Sequence, residues 1–265
     1  MNKVRVGFFS FTEVTDPGEH HAYNRWHQLD HVPENRALPG IAHGQRWVRT
    51  PACRERHRPS AEPALDRIHY VTLYLMTAPV ERTLDEFRNL GARLAAIGPR
   101  FHRFRESHLN GPFLFVQARV HPRVLVAPEA LPYRPQRGVY VSCFDVPDPA
   151  EYDAVTEWLD RTRFPDALEV PGVAGVWSFV SSPPRGPGPS RPDPQADPYA
   201  LPPGRVVNVY YLDEPPLQVA DELRARSPEW DAAGRGLDPE IRLRRLVAGP
   251  FESIDPWNWD WFEDA

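Results

Sequence analysis

A segment near the N-terminus recurs in the second half of the chain. Residues 19–47 align without a gap on residues 151–179. The identical positions include a tryptophan, two prolines and a glycine: Trp26 and Trp158, Pro33 and Pro165, Pro39 and Pro171, Gly40 and Gly172. Farther along, residues 70–79 match residues 206–215. A repeat of this length indicates that one structural unit occurs twice, so the 265 residues are predicted to form two similar modules.

Within the first copy, the apolar pattern changes between the strand period and the helix period. Alternation predicts strands at 4–13, 41–49 and 70–76, and helical spacing predicts helices at 17–32 and 83–97. Together with a closing strand, this is the βαββαβ order of a ferredoxin-like module, in which helices cover one face of an antiparallel sheet. We therefore predict an α+β chain whose two sheets pack face to face as an intramolecular α/β barrel.

Proline-rich segments suggest the boundaries between the parts. The prediction divides the chain into an N-terminal module (1–120), a connector (121–136), a C-terminal module (137–252) and a Trp-rich acidic tail (253–265). Residues 50–66 are expected to form a surface loop, and residues 181–204, with nine prolines, a long loop that is either a plain excursion or a lid. The tail is expected to dock its aromatic side, because exposed tryptophans are unfavourable.

Composition limits the partners of the chain. The net charge is −5 and basic runs are absent, which argues against binding to nucleic acid or to an anionic membrane surface. No apolar stretch reaches the roughly 20 residues that span a bilayer. Cys53 and Cys143 are too few and too distant for a disulfide framework, so a cytoplasmic protein is expected. The expected partner is a small-molecule substrate, and the chain is expected to be a monomer or a homodimer.

The first predicted helix carries a stripe of polar side chains. On a helical projection His20, Asn24, His27 and His31 share one face, whereas the second copy has Tyr152, Thr156, Leu159 and Arg163 there. Leucine and tyrosine are unexpected on a fully solvated face, so we predict that the stripe is partly covered, the alternative being a wet surface. All ten histidines fall at or before His121, so the C-terminal module is expected to be degenerate and structural.

The combination of Trp26, His31, Pro33, Pro39-Gly40 and Arg46 resembles the dimeric α/β-barrel superfamily, in particular its EthD-like branch. The resemblance covers both copies, but only the first copy has the histidine. It implies a site between the sheet and the helices of one module. It leaves the activity open, because the superfamily includes polyketide cyclases, lactone isomerases, cofactor-independent monooxygenases and haem-binding enzymes.

His31 is the best candidate for a general base, since an imidazole titrates near neutrality and Pro33 is expected to kink the helix there. His27 lies one turn earlier and could orient His31, and Asn24 could polarise a substrate oxygen. His20, at the helix start, is expected to face solvent. No cofactor is predicted; the alternatives are a divalent metal ion on His27 and His31, or haem.

Further candidate substrate contacts come from the predicted strands. Tyr74 and Thr72 share one strand face, which is either the site or core, and Arg46 could bind a carboxylate beside His43; Trp26 completes the set. The predicted function is His-based acid–base chemistry on an aromatic or polyketide-like carbonyl compound, by a cyclase, isomerase or dehydratase of the lyase or isomerase class. The alternatives are an oxidative enzyme of the same superfamily, either a cofactor-free monooxygenase or haem-dependent, and a non-catalytic small-molecule-binding protein.

Overall fold

The strands of the chain form one closed antiparallel barrel. The computed structural model describes residues 3–97, 102–182 and 199–263. In these ranges the strands are β1 (Val4–Val14), β2 (Ile41–Val48), β3 (Tyr70–Thr77), β4 (Arg105–Val120), β5 (Gly138–Asp145), β6 (Val173–Val180), β7 (Arg205–Leu212) and β8 (Arg244–Ser253). Around the barrel they follow the order β1-β3-β2-β8-β5-β7-β6-β4. The α+β class and the barrel are thereby confirmed, whereas the division into two ferredoxin-like modules stays a prediction.

Helices cover the outside of the barrel. They are α1 (His20–Trp26), α2 (Val32–Arg36), α3 (Pro51–Arg56), α4 (Val80–Ile97), α5 (Tyr152–Trp158), α6 (Phe164–Leu168) and α7 (Pro216–Ala232). Single 3-10 turns occur at Pro17–Glu19, Pro63–Asp66, Pro128–Tyr133 and Pro149–Glu151. None of the described helices is both long and apolar enough to cross a bilayer.

Two seams of unequal length close the barrel. Strands β4 and β6 pair from Leu114 opposite Val180 to Val120 opposite Gly175. The seam between β2 and β8 consists of Trp47 opposite Ser253 and Val48 opposite Glu252. Side chains reinforce this short seam, since Thr50 donates a hydrogen bond to the Glu252 carboxylate at 2.9 Å.

The segment 50–66, predicted as a surface loop, is instead ordered against β8. It contains α3 and a 3-10 turn, and it buries Cys53 and Leu65 completely or nearly so. The backbone N–H groups of Arg58 and Ala61 donate to carbonyl oxygens of β8, which extends the hydrogen bonding of that strand edge. The high proline content misled the prediction, because proline also favours the first turn of a helix, where Pro51 and Pro63 lie.

The two faces of each strand have different surroundings. In β3, Val71, Leu73 and Leu75 point into the apolar barrel interior, whereas Tyr70 and Tyr74 belong to clusters beneath the outer helices. Side chains of a strand alternate between faces, so Thr72 lies on the helix side as well. The outer face of β3 is therefore part of a helix–sheet cleft, which decides between the two predicted locations of Tyr74.

Each half of the chain contains a turn of π-helix at the same position of the repeat. These turns, His27–His31 and Leu159–Arg163, join α1 to α2 and α5 to α6. The N–H of Val32 donates to the carbonyl of His27, five residues earlier. This wider turn accommodates Pro33, which lacks an N–H and lies in the first turn of α2. The helix consequently continues to Arg36, beyond the predicted end at residue 32.

The remaining predictions on the ends and loops have mixed outcomes. Residues 183–198 of the proline-rich loop lie outside the described residues, so its role as a lid stays a prediction. In the tail, Trp259 is buried and Phe262 stacks on His20 at 3.9 Å between ring centroids. Trp257 remains 78% exposed, so docking of the tail is confirmed for only part of its aromatic side chains. Cys53 and Cys143 are both free and buried.

Candidate functional site

A small polar cavity lies in the cleft between the first helical segment and the sheet of the N-terminal half. Its volume is about 30 Å³, which corresponds to about two water molecules. The lining combines imidazole, guanidinium, hydroxyl and amide groups with four phenylalanine and tyrosine rings: Phe8, Ser10, His27, His31, Thr72, Tyr74, Phe87, Arg105, Asn110 and Tyr199. Four residues predicted from the sequence, His27, His31, Thr72 and Tyr74, are therefore brought together at one cavity.

The π turn places His27 and His31 side by side. Their ring centroids lie 5.0 Å apart with a T-shaped arrangement, and Trp26 stacks on His31 at 4.8 Å. His27 is 3% and His31 7% exposed, so the predicted covering of this stripe is correct. A regular α-helical projection places Trp26 on the side of the helix opposite His31. That projection does not take the wider π turn into account.

His27 is a neutral imidazole at physiological pH. Burial lowers its pKa well below 6.5, and the nearby charges of Arg46 and Arg105 lower it further. Its Nδ1 atom is buried and has no hydrogen-bond partner among the described residues. A neutral imidazole can offer a lone pair or an N–H at this atom, depending on its tautomer. His27 therefore presents an unused proton acceptor or donor beside the cavity.

Arg46 is a buried cation without a carboxylate partner in the described part of the chain. It is 3% exposed, and its guanidinium lies 5.3 Å from the ring centroids of both Tyr23 and Tyr70. One Nη2 bond to Asn24 Oδ1, at 2.9 Å, is formed, while Nε and Nη1 have no partner. The rings offset part of the desolvation cost. A buried, incompletely bonded guanidinium favours an anion close by.

Asn24 supports Arg46 and Tyr70 rather than a ligand. Its Nδ2 donates to the Tyr70 hydroxyl at 2.7 Å and to the His20 carbonyl at 2.8 Å. Both amide hydrogens are thereby engaged, which argues against its predicted role as a donor to a substrate oxygen. The expectation that His20 faces solvent is wrong: Phe262 covers it, and its Nδ1 lies 2.8 Å from the Tyr70 hydroxyl.

Asn35 is a site residue that the sequence analysis missed. Its Nδ2 lies 2.9 Å from the His31 carbonyl, 3.1 Å from the Tyr74 hydroxyl and 3.2 Å from His31 Nε2. Because it follows His31 by four residues, it extends the same helical stripe. The signal was present in the sequence, but it was hidden by the assumption that the helix ends at Pro33.

The two other predicted substrate contacts lie away from the cavity. Arg46 does not line the cavity, although its charge lies close enough to His27 to lower the pKa of that imidazole. His43 is half-buried on β2 and bonds Gln45 at 3.3 Å, with its ring 5.1 Å from that of Tyr133. His43 therefore does not contribute to this cleft, and Arg46 acts on it through its charge.

Neither of the alternative cofactors fits the side chains present. In the part of the chain that the structure describes, the one cluster of three metal-type ligands is Glu13, Glu106 and His108, so His27 and His31 lack a third ligand. Glu13 already pairs with Arg67 at 3.0 Å. A haem cannot enter a cavity of about 30 Å³.

The C-terminal half contains a much larger cavity in the equivalent cleft. It measures about 350 Å³ and lies between α5, α6 and α7 on one side and β5, β7 and β8 on the other. No histidine, cysteine or methionine, the commoner axial ligands of haem, is among its described lining residues. The expectation that this half is merely structural does not account for the cavity.

Known structures show the same fold, although sequence comparison finds no relative. No family model matches the chain, and no curated protein matches it. An anthrone oxidase-like protein is 12% identical, with a TM-score of 0.51 and coverage of 96% of this chain and 92% of that one. A protein described as a candidate monooxygenase of Fusobacterium nucleatum subsp. nucleatum is 8% identical, with a TM-score of 0.50 and 96% coverage of both chains. At such identities the likeness shows the α/β-barrel fold alone, and the EthD-like branch stays a prediction.

Proposed function

We propose that the chain is a cofactor-independent small-molecule enzyme that removes a proton beside a carbonyl group, as a cyclase, isomerase or dehydratase does. The observation that supports this most is His27, a neutral buried imidazole whose Nδ1 has no partner and which shares a cavity with a guanidinium. Such a group can accept a proton from an acidic C–H or phenolic O–H bond.

The positive charges around His27 favour a proton transfer that leaves an anion on the substrate. Proton uptake by His27 places a new cation near Arg46 and Arg105, which is unfavourable by itself. The cost is offset only if the proton leaves behind an anion at the same place, such as an enolate or a phenolate. Deprotonation to an oxyanion therefore suits this site, and return of the proton to another atom completes an isomerisation.

His27 takes the role of base in this proposal, and His31, the sequence-based choice, becomes its neighbour. The reason is hydrogen bonding: Nε2 of His31 lies 3.2 Å from the Asn35 amide, while Nδ1 of His27 has no partner. Asn35, which also donates to the Tyr74 hydroxyl, holds His31, and the stacked Trp26 fixes the ring plane. His31 can thus position the substrate or relay the proton without being the first acceptor.

The cavity volume limits how a substrate enters. About 30 Å³ accommodates the reacting edge of a carbonyl compound and not a whole ring system. Phe87 and Tyr199, two of the aromatic lining residues, must move aside for anything larger. Side-chain rotation of this kind is fast compared with typical turnover.

Oxidation is the second candidate function. Two solved structures of the same fold are described as anthrone oxidase-like and as a candidate monooxygenase. An enolate formed at His27 is an electron-rich carbon nucleophile that can also react with dioxygen, so both functions share the first step. Oxygen consumption, measured with an electrode in the presence of substrate, separates oxidation from isomerisation.

Proton abstraction can be measured without knowing the product. We expect the protein to catalyse solvent deuterium incorporation into aromatic ketones with acidic C–H bonds, anthrone among them, as followed by mass spectrometry. His27→Gln should lower this rate by about 10²-fold or more, and His31→Gln by less. His43→Gln is the matched control, because His43 lies outside the cleft.

The pH profile gives an independent check. Since the pKa of His27 lies well below 6.5, the base is already deprotonated at pH 6, and the exchange rate should stay level from pH 6 to 8. An unchanged rate in His27→Gln contradicts the assignment of the base. Tight ligand binding with no deuterium incorporation in any ketone supports the non-catalytic binding protein instead.

A further inference from the structure

The larger cavity, in the C-terminal half, has the dimensions of a ligand site. Its volume of about 350 Å³ falls within the range of small-molecule pockets. It lies under the second π turn, where Leu159 and Arg163 occupy the positions that His27 and His31 have in the first half. Leu159 lines this cavity as His27 lines the smaller one, and it replaces the imidazole by an apolar side chain.

Aromatic and apolar side chains form the walls. Trp158, Trp230, Tyr140 and Tyr210 line the cavity together with several leucines. The guanidinium of Arg163 lies 4.8 Å from the Trp230 ring centroid, a distance at which a cation is attracted to the ring face. Walls of this composition favour a flat ring that can stack on tryptophan and arginine.

The lining is strongly cationic. It contains six arginines, Arg56, Arg58, Arg163, Arg224, Arg235 and Arg245, and two carboxylates, Asp166 and Asp231. Arg235 is neutralised by Asp166, and Arg56 by Asp221. Among the described residues neither Arg163, which is half-buried, nor Arg245, which is exposed, forms a salt bridge with a carboxylate, although Arg163 bonds the Tyr210 hydroxyl and its charge acts on Asp166. This excess positive charge attracts an anion.

A buried amide points to a polar atom of the ligand. Asn208 of β7 is 0% exposed and lines the cavity. Its Oδ1 accepts a hydrogen bond from Ser178 at 2.7 Å, whereas its Nδ2 has no partner among the described residues. A buried N–H group without a partner is costly, so Asn208 has the character of a binding residue that lacks its acceptor.

We propose that this cavity binds an anionic aromatic small molecule, such as an aryl carboxylate. Its ring stacks on the aromatic walls, its carboxylate pairs with Arg163 and Arg245, and one oxygen accepts a hydrogen bond from Asn208 Nδ2. The proposal is independent of the chemistry at His27, because the two cavities share no lining residue. The proposal assigns a ligand to the C-terminal half, which the absence of histidines after His121 predicts to be only structural.

Binding of naphthoate tests the proposal, and naphthamide, which has the same ring without the charge, is the matched ligand. Isothermal titration and quenching of tryptophan fluorescence measure both affinities on the full chain. We expect naphthoate to bind at least about tenfold more tightly than naphthamide, since one charge-assisted hydrogen bond contributes that much. Arg163→Met should remove this preference and weaken naphthoate binding by about tenfold or more.

Two variants serve as controls. Arg161→Met changes an exposed arginine of the same π turn that pairs with Glu157, and should leave the affinity within about twofold of the wild type. His27→Gln should also leave it unchanged, which separates this site from the proposed catalytic one. Asn208→Leu should weaken naphthoate, and circular dichroism establishes that each variant is folded.

The outcomes that overturn the proposal are definite. Equal affinity for naphthoate and naphthamide would show that the negative charge does not contribute to binding. Wild-type affinity in Arg163→Met would show that Arg163 does not bind the carboxylate. Absence of naphthoate binding up to its solubility limit also overturns the proposal. Loss of binding in His27→Gln with retention in Arg163→Met would place the ligand in the N-terminal cavity instead.

Discussion

The two helix–sheet clefts of this chain share a backbone and differ in what fills it. Both have a π turn at the same repeat position, yet one cavity measures about 30 Å³ and the other about 350 Å³. In the first cleft imidazole and tyrosine side chains occupy the space, while the second leaves it open between two tryptophans. The histidine side chains thus lie in the N-terminal half and the larger free volume in the C-terminal half, so neither feature alone locates a functional site.

Acid should affect the N-terminal cleft before the C-terminal one. Burial lowers the pKa of His57 and His69 to about 3 each, and that of His27 well below 6.5. Their folded-state pKa values are below the unfolded value, so the unfolded chain binds more protons below pH 6.5 and stability falls as the pH falls. At pH 5 this amounts to about 2 kcal/mol for each of His57 and His69, whose folded-state pKa is about 3, and His27 acts in the same direction.

Urea denaturation at pH 7 and pH 5 measures the loss, and hydrogen exchange locates it. We expect α1 and α2 to lose protection at pH 5 while α5 and α6, which carry no histidine, keep theirs. Equal loss in both pairs of helices would show that the acid sensitivity does not originate in the histidine-lined cleft.

Replacing a buried arginine by methionine should have opposite effects in the two halves. Arg205 forms two bonds to Asp145, at 2.6 and 3.1 Å, so Arg205→Met leaves this carboxylate with Arg244 alone as its charged partner and should cost about 1.5–3 kcal/mol. Arg46 has no carboxylate partner among the described residues, so Arg46→Met should stabilise the fold by about 1–2 kcal/mol. Deuterium exchange into ketones should fall in the same variant.

Chemical denaturation of both variants at pH 7 gives the free energies of unfolding. Destabilisation by Arg46→Met comparable with that by Arg205→Met would mean that the guanidinium is structural. The proposal that its charge serves an anion in the cleft would then lose its support.

The smallest expected effects come from placing phenylalanine at the equivalent positions of the two π turns. His27→Phe overfills a cleft with about 30 Å³ of free space and should cost about 1–3 kcal/mol. Leu159→Phe extends into about 350 Å³ and should change the stability by less than about 0.5 kcal/mol. Thermal melting of the two variants compares them directly, and equal losses would show that the larger cavity is not free to accept side chains.

The sequence predicts the barrel well because strand alternation is a local signal. Tyr70, Thr72 and Tyr74 alternate with Val71, Leu73 and Leu75, and this pattern alone separates the cleft face from the barrel interior once the fold is known. The burial of His27 and His31 could be inferred in the same way, from the apolar character of their counterparts in the second copy.

Other features carry no local signal. The π turn depends on a hydrogen bond from Val32 to His27 that spacing alone does not indicate, and it hid both the continued helix and Asn35. The volume of a cavity depends on how many side chains pack around it in three dimensions. The open cleft beside Leu159 could therefore not be inferred from the composition of the chain. The covering of His20 by Phe262 joins residues from opposite ends of the chain, which periodicity cannot connect.

The short seam between β2 and β8 also bears on how the chain is made. During synthesis from the N-terminus, β8 emerges after the other seven described strands, so β2 lacks this partner until β8 has been made. An exposed strand edge is a risk, because it can pair with another nascent chain. Since only Trp47 and Val48 pair with β8 across this seam, the final closing step needs few backbone bonds. The order in which the strands appear is thus compatible with a barrel that closes only after β8 has emerged.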